Sequence, residues 1–331
     1  MGLKAHAVHH NSQNANSQTR ISEYKQNPRP GAGGFVQIRA FSKINLILDV
    51  LGRRSDGYHD LRSVMQTLSL HDTLTISVEP SQQENFRLIC SDPRLPTDDR
   101  NLVTRAAKYM MQEYNITWPI CIQLKKRIPA SAGLAGGSSD CAATLAGLNT
   151  LFDLNIPLHS SEQCESLMSI GRRFGADVPF CLMGGTALAE GVGEVLTPLP
   201  AHPHCWVVLA CPKIPVSTAK IFSLFKSPAT KDNSATMINA LHQGNLHQIA
   251  AHFSNDLAKI TTKLHPEIQE LINEMKNQGA INASMSGSGP SVFGYFTCKD
   301  AAIKAQIILE RITGRAFLTE TINQPQLFGG A

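Results

Sequence analysis

The sequence predicts an α+β fold, on three observations. Segments of period two and segments of period 3.6 are intermixed along the chain instead of alternating strictly. One period-two segment runs straight into a glycine-rich turn that opens an amphipathic helix. The chain has 331 residues and an ordinary apolar fraction of 42%, enough for about two packed domains of roughly 150 residues each.

The elements follow in order. Val36, Ile38 and Ala40 alternate with polar residues, and Ile44, Leu46 and Leu48 resume the alternation after a shift, which reads as strand. Lys43 and Asn45 are two apart in it and share one face. Leu51 to His59 reads as turn and loop, Leu74 to Val78 and Phe86 to Cys90 as strands, and Asn101 to Tyr114 as a helix. Ile120, Ile122 and Leu124 alternate into the glycine turn. Cys141, Leu145, Leu148 and Phe152 then form one face of a helix starting near Ser138 or Ser139. Ser160 with Gln163 resembles a capping box for a helix ending at Gly175. Thr186 to Glu190 and Trp206 to Ala210 read as strands, and about 217–278 as helical. Ala283 to Met285 and Ser291 to Phe296 flank a second turn, Ser286-Gly287-Ser288-Gly289-Pro290, before a helix near 300–313 and a strand near 316–322.

Composition narrows the function. The net charge of +4 is weak, five positive residues (Lys4, Arg20, Lys25, Arg29, Arg39) fall near the N-terminus, and Lys125-Lys126-Arg127 is a short cluster. That argues against a nucleic-acid partner. No apolar run has the roughly 18 residues of a membrane span. The eight cysteines form no CxxC pair, which favours buried reduced thiols in a cytoplasmic setting. His202-Pro203-His204-Cys205 lacks a matching pair of metal ligands. Residues 1–35 read as a polar, disordered extension without the apolar centre of a signal peptide, though organelle targeting by it stays open.

Pro129-Ala130-Ser131-Ala132-Gly133-Leu134-Ala135-Gly136-Gly137-Ser138-Ser139 carries the strongest chemical signal. Small residues and glycines at a strand-to-helix turn let a ligand approach the backbone, and the helix start adds N–H groups and a positive dipole end for phosphate. No Lys-Ser/Thr follows the last glycine, so this is not a Walker A loop. Asp153 falls at a helix exit, so the acidic residue of a dinucleotide fold is not in place. Lys43 beside Asn45 in an apolar strand marks either a solvated edge or a polar pocket. Asp177, in Gly175-Ala176-Asp177-Val178-Pro179, is either a turn former or a carboxylate suited to accept a proton. Asp56-Gly57 is a turn signal, whereas Tyr58-His59 behind it offers an aromatic ring and an imidazole for a flat heterocycle.

As a set, Ser42-Lys43-Ile44-Asn45-Leu46, Asp56-Gly57-Tyr58-His59, Pro129 to Ser139, Gly175 to Pro179 and Ser286 to Pro290 resemble the GHMP-type small-molecule kinases, from about residue 37 to the C-terminus. The strand motif and the Asp-Gly-Tyr-His loop point to the branch that phosphorylates the 2-hydroxyl of a cytidine diphosphate-linked methylerythritol. The resemblance implies an N-terminal ribosomal-protein-like α+β ATP-binding domain over 36–195 and a C-terminal ferredoxin-like domain over 196–331. It implies ATP and Mg2+, with no metal ligand assigned, and a monomer or weak homodimer. By position, Asp177 is the expected base and Lys43 its charged partner. Pro129 to Ser139 hold the ATP phosphates, His59 reads the cytosine with Tyr58 and Phe222 around it, and Asn45 and Thr218 place the substrate. Ala40-Phe41-Ser42 departs from the family's usual Ala-Pro-Ala. Rival readings are a GHMP kinase for homoserine, mevalonate or a sugar, and a non-catalytic nucleotide sensor or RNA-binding module.

Overall fold

Two long strands organise the first half of the chain. Strand β1 (Phe35–Arg53) and strand β2 (His59–Val78) form an antiparallel hairpin in a computed structural model that describes residues 29–31, 34–81, 83–159, 165–226 and 233–324. β2 bonds β4 (Ile120–Lys125) along Thr73–Val78 and β5 (Thr186–Gly191) along Leu61–Gln66. β3 (Phe86–Cys90) lies parallel to β4, and β6 (Val195–Pro198) pairs with β5. The other edge of β1 is covered by β8 (Ser254–Asn255), which runs parallel to Ile47 and Leu48. A second, antiparallel sheet has the order β11 (Ala316–Glu320), β7 (Trp206–Ala210), β10 (Val292–Phe296), β9 (Ala283–Met285).

Three apolar layers fix the arrangement. Helix α1 (Leu102–Glu113) and helix α2 (Gly136–Leu151) put Val103, Ala107, Met110, Leu145 and Leu148 against Ile38, Ile76 and Ile122. Gly147 permits this approach, since a Cβ there would lie 2.5 Å from Ile76 Cδ1. Between the sheets, Ile44, Leu46 and Leu68 meet Val207, Leu209, Phe293 and Tyr295. Behind the second sheet pack two more helices, Pro266–Asn277 and Lys299–Thr313, through Ile268, Met275, Ala305 and Leu309. β1 is thus covered on both faces, which removes clean alternation from Ala40 to Val50.

Several elements differ from the sequence reading. β2 begins at His59 and not Leu74, because its first half buries Ser63, Gln66 and Thr67 and shows no apolar period. β1 runs to Arg53, through what reads as loop. The shift in its alternation corresponds to register breaks between Phe41 and Lys43 and between Asn45 and Ile47. α2 starts at Gly136 and not Ser138, with Ala135 in left-handed conformation (φ 57°) at its N-cap. The helix α3 (Leu167–Arg172) ends before Gly175 and has a capping box from Ser166 and Ser169; Ser160 and Gln163 lie outside the described residues. β6 has no counterpart in the reading. The described residues of 217–278 hold five helices, among them α5 (Thr218–Leu224), and are interrupted by β8. Most of the extension read over 1–35 also lies outside the described residues, but the Gly31 N–H bonds Leu151 O at 2.7 Å and Phe35 opens β1. No helix among the described residues is long and apolar enough to cross a membrane.

Candidate active site

Lys43 lies between the first two of three register breaks of β1, and its side chain is almost wholly buried. An ammonium there needs oxygen partners. It donates to Asn45 Oδ1 at 2.8 Å and stands 3.5 Å from Asp177 Oδ2. Asn45 is oriented in turn by donating from Nδ2 to Ser63 Oγ at 2.8 Å. Asp177 occupies the N-cap position of the short helix α4 (Val178–Met183), yet its carboxylate makes no cap bond. One third of that side chain is exposed (32%), so a carboxylate charge-paired on one side faces solvent on the other. Residues 134 positions apart are joined here, and a proton acceptor stands beside a fixed positive charge.

The glycine loop adjoins this pair. The Lys43 N–H donates to Leu134 O at 3.2 Å. Ser131 (φ 52°), Gly133 (φ 75°) and Ala135 (φ 57°) are all left-handed, and alternating left-handed residues of this kind turn successive N–H groups inward. The second turn, Ser286 to Pro290, is pressed against the loop. Ser286 Oγ donates to Gly133 O at 2.8 Å, and a Cβ on Gly287 would lie 3.4 Å from Gly133 Cα and 3.7 Å from Asn45 Oδ1. Asn255 holds the turn from below, donating to Met285 O and Gly287 O at 2.8 Å each. A cavity of about 640 Å³ opens at the entry of the loop, walled by Pro129 to Ala132, Ile214 to Ser217, Arg94 and Arg315. It adjoins the loop and not the Lys43–Asp177 pair.

The third part lies along α5. His59 is buried, with Phe222 at 5.2 Å and Phe225 edge-on at 6.4 Å between ring centroids. Burial, then the Arg53 charge, lowers its pKa, so the imidazole is neutral at neutral pH. Thr218, the first residue of α5, shares a 2.8 Å hydrogen bond with Ser288 Oγ. Tyr58 is placed differently from its neighbour: the residue is 65% exposed, and its backbone N–H bonds Asp56 Oδ1 at 3.0 Å.

The sequence reading passed over Ser63, Phe225 and Asn255, which carry no local motif. It noted the Ser286–Pro290 turn without a role. Among the described residues no cluster of three or more His, Cys, Asp or Glu side chains is arranged to hold a metal. In the His-Pro-His-Cys run, His202 Nε2 bonds the Tyr295 hydroxyl at 3.2 Å and His204 bonds Glu320 at 2.8 Å. All seven described cysteines are free thiols.

Comparison with known proteins covers most of the chain. Residues 101–185 match the family model of the GHMP kinases N terminal domain, and 237–311 that of the GHMP kinases C terminal. A 4-diphosphocytidyl-2-C-methyl-D-erythritol kinase of Lachnoclostridium phytofermentans is 44% identical over 272 residues, 82% of this chain and 91% of its own. One from Caldicellulosiruptor bescii is 41% identical over 288 residues, 86% of this chain and 98% of its own. A crystal structure of a 4-(cytidine 5'-diphospho)-2C-methyl-D-erythritol kinase superposes with a TM-score of 0.72 at 32% identity, covering 89% of this chain and 100% of the other. The homoserine kinase of Cytophaga hutchinsonii shares the fold, with a TM-score of 0.70 at 17% identity over 88% and 96% of the two chains.

Proposed function

Because the chain belongs to the 4-diphosphocytidyl-2-C-methyl-D-erythritol kinases, a family of GHMP kinases, we propose that it transfers the γ-phosphoryl group of ATP to the 2-hydroxyl of 4-diphosphocytidyl-2-C-methyl-D-erythritol in isoprenoid biosynthesis. The observation that carries the reading is Lys43 set between Asn45 and Asp177 at the rim of the glycine loop.

In this reading Pro129 to Ser139 receive the ATP phosphates, and the neutral His59 with Phe222 receives the cytosine. Tyr58, being exposed, closes over the ring only when the nucleotide is present. Asn45 and Thr218 border the alcohol. The bond from the substrate 2-oxygen to the γ-phosphorus forms as the bond from that phosphorus to the β–γ bridging oxygen breaks, leaving ADP. The hydroxyl proton passes to Asp177 and then to solvent. Phosphoryl transfer of this loose kind relies on positioning and charge stabilisation, so an ordinary carboxylate suffices as base. Lys43 orients that carboxylate and offsets negative charge at the reacting oxygens.

The residues fit Mg2+ in its usual form, carried on phosphate oxygens with few protein ligands. The half-buried Ser138 hydroxyl at the start of α2 is a suitable oxygen for it. When bound, the ion neutralises charge on the β- and γ-phosphates. Residues 36–195 and 196–331 serve as the two halves between which the substrates meet, in a cytoplasmic enzyme.

The test is ADP formation with 4-diphosphocytidyl-2-C-methyl-D-erythritol against mevalonate and homoserine. Activity on mevalonate alone defeats the choice of acceptor. Asp177→Ala should lower kcat about 100-fold or more while ATP still binds. Turnover within about tenfold of wild type, roughly 1.4 kcal/mol, excludes Asp177 as base.

A further inference from the structure

The two ends of the glycine loop meet on one ammonium. Lys126, just past the end of β4, donates to Asp140 Oδ2 at 2.6 Å across the loop. It also donates to Asp72 of β2, whose second oxygen accepts from the N–H groups of Arg127 and, at 2.8 Å, Ile128. Asp72 and Asp140 are buried, and the Lys126 side chain is 7% exposed. The ammonium reaches the loop itself: a Cβ on Gly136 would lie 3.4 Å from Lys126 Nζ and 3.0 Å from Ile128 Cγ2. Entry, exit and a neighbouring strand are therefore tied at one point, while the Lys43 side chain bonds Asn45, Asn45 bonds Ser63, and His59 packs on Phe222.

We infer that Asp72, Lys126 and Asp140 are positioning residues for the phosphate donor: they set the separation of the loop's two ends, and with it the alignment of its N–H groups on the triphosphate. This rests on reading Pro129 to Ser139 as the donor loop.

Charge balance gives the staple a signature. With both carboxylates ionised around one ammonium, a surplus negative charge would lie in a buried pocket beside the loop. Burial pushes the Asp140 carboxyl up to about 8; the Lys126 charge opposes this and Asp72 adds to it. Burial lowers the Lys126 pKa, but Asp140 and Asp72 outweigh it, and the ammonium stays charged. Asp140 Oδ1 is buried without a hydrogen-bond partner, and is the atom that can carry the proton. The other charged or titratable groups that interact electrostatically around it are Arg105 of α1, Cys90 of β3, Asp92 just beyond β3, Cys141 of α2, Cys181 and Asp177 at α4, and Lys43 of β1. Burial raises all three thiols above the usual cysteine range. The triad is neutral while Asp140 is protonated and negative once it is not.

The experiment is calorimetric titration of ADP and, separately, of CDP into the full chain from pH 6.5 to 9.5. In wild type, ADP affinity should fall by up to about tenfold as pH rises through the raised Asp140 titration and then level off, and Asp140→Asn should flatten that profile. Lys126→Met should raise the ADP Kd tenfold or more, Lys126→Arg should recover most of the loss, and CDP affinity should stay constant throughout. Parallel ADP profiles in wild type and Asp140→Asn overturn the inference. So does a Lys126→Met variant that loses ADP and CDP equally, or one that binds ADP within twofold of wild type. If Lys126→Met does not fold, the Asp140→Asn profile decides. A wild type that binds CDP but not ADP at any pH refutes the donor-loop reading itself.

Discussion

Replacing Gly133 with alanine distinguishes a loop shaped by the protein from one shaped by its ligand. Gly133 has φ +75°, and an added Cβ would stand 2.3 Å from Ser286 O and 3.2 Å from Gly289 O. A left-handed alanine costs about 1–2 kcal/mol. The obstructing atoms belong to backbone, so no side chain can swing aside, and opening the nearer contact to 3.0 Å moves loop or turn by about 0.7 Å. Overpacking of that kind costs about 1–3 kcal/mol, for a total of about 2–5 kcal/mol. Unfolding entropy of about 2.1 cal/mol/K per residue over 331 residues converts this to a Tm lowered by roughly 3–7 °C. Gly137 is the control. It lies inside α2, its added Cβ would meet only Leu102 Cδ1 at 3.9 Å, and alanine there should stabilise by about 0.5–1 kcal/mol. Calorimetry without nucleotide, followed by steady-state turnover, separates the two. Gly133→Ala should lose about 100-fold in kcat, since a displacement near 1 Å misaligns the reactants. Equal melting of Gly133→Ala and wild type, or an equal drop in Gly137→Ala, refutes the reasoning. A Gly137→Ala variant that melts higher but turns over poorly would mark the space above Gly137 as the ligand's.

Lys43→Met should reduce kcat about 100-fold or more; a raised acceptor KM at unchanged kcat would make Lys43 a binding residue only. Ser286→Ala removes the bond to Gly133 O, about 1 kcal/mol, and should raise the ATP KM about fivefold with the acceptor KM steady. His59 has a lowered pKa, so acceptor KM should be flat through pH 6.5 and rise only in more acidic buffer. A rise centred at pH 6.5 contradicts the burial of that ring. His202, held down to about 4 by burial, takes up its proton first in the unfolded chain. Its contribution to stability is complete above pH 6.5 and is lost as pH falls toward 4, so the urea midpoint should drop over that window and do so less in His202→Gln.

Local pattern accounts for what the sequence discloses. Phe86–Cys90 and Trp206–Ala210 are read at their structural bounds because β-branched and aromatic residues form short runs there. The Lys43–Asn45 contact follows from i, i+2 spacing in a strand. The first half of β2 is illegible because its buried Ser63 and Gln66 find partners in other elements, which no period records. Asp72 is illegible for the same reason: its partners lie 54 to 56 positions away. No local signal joins Lys43 to Asp177. A family resemblance supplies that pairing, and the fold supplies the distance.

The two-residue strand β8 has a consequence for solubility. Ser254 and Asn255 come from the second half of the chain, yet they cover Ile47 and Leu48 on the open side of β1. Asp256 extends the cover, its N–H bonding Leu48 O at 2.9 Å and its carboxylate accepting from Val50 N at 3.0 Å. A fragment ending before β7 would leave this apolar strand with free N–H and C=O groups, a template for edge-to-edge association with other copies. Expressed alone, such a fragment should aggregate, and co-expression with the remainder of the chain should rescue it. The strand that carries Lys43 is thus guarded against self-association by a contact contributed more than two hundred residues later.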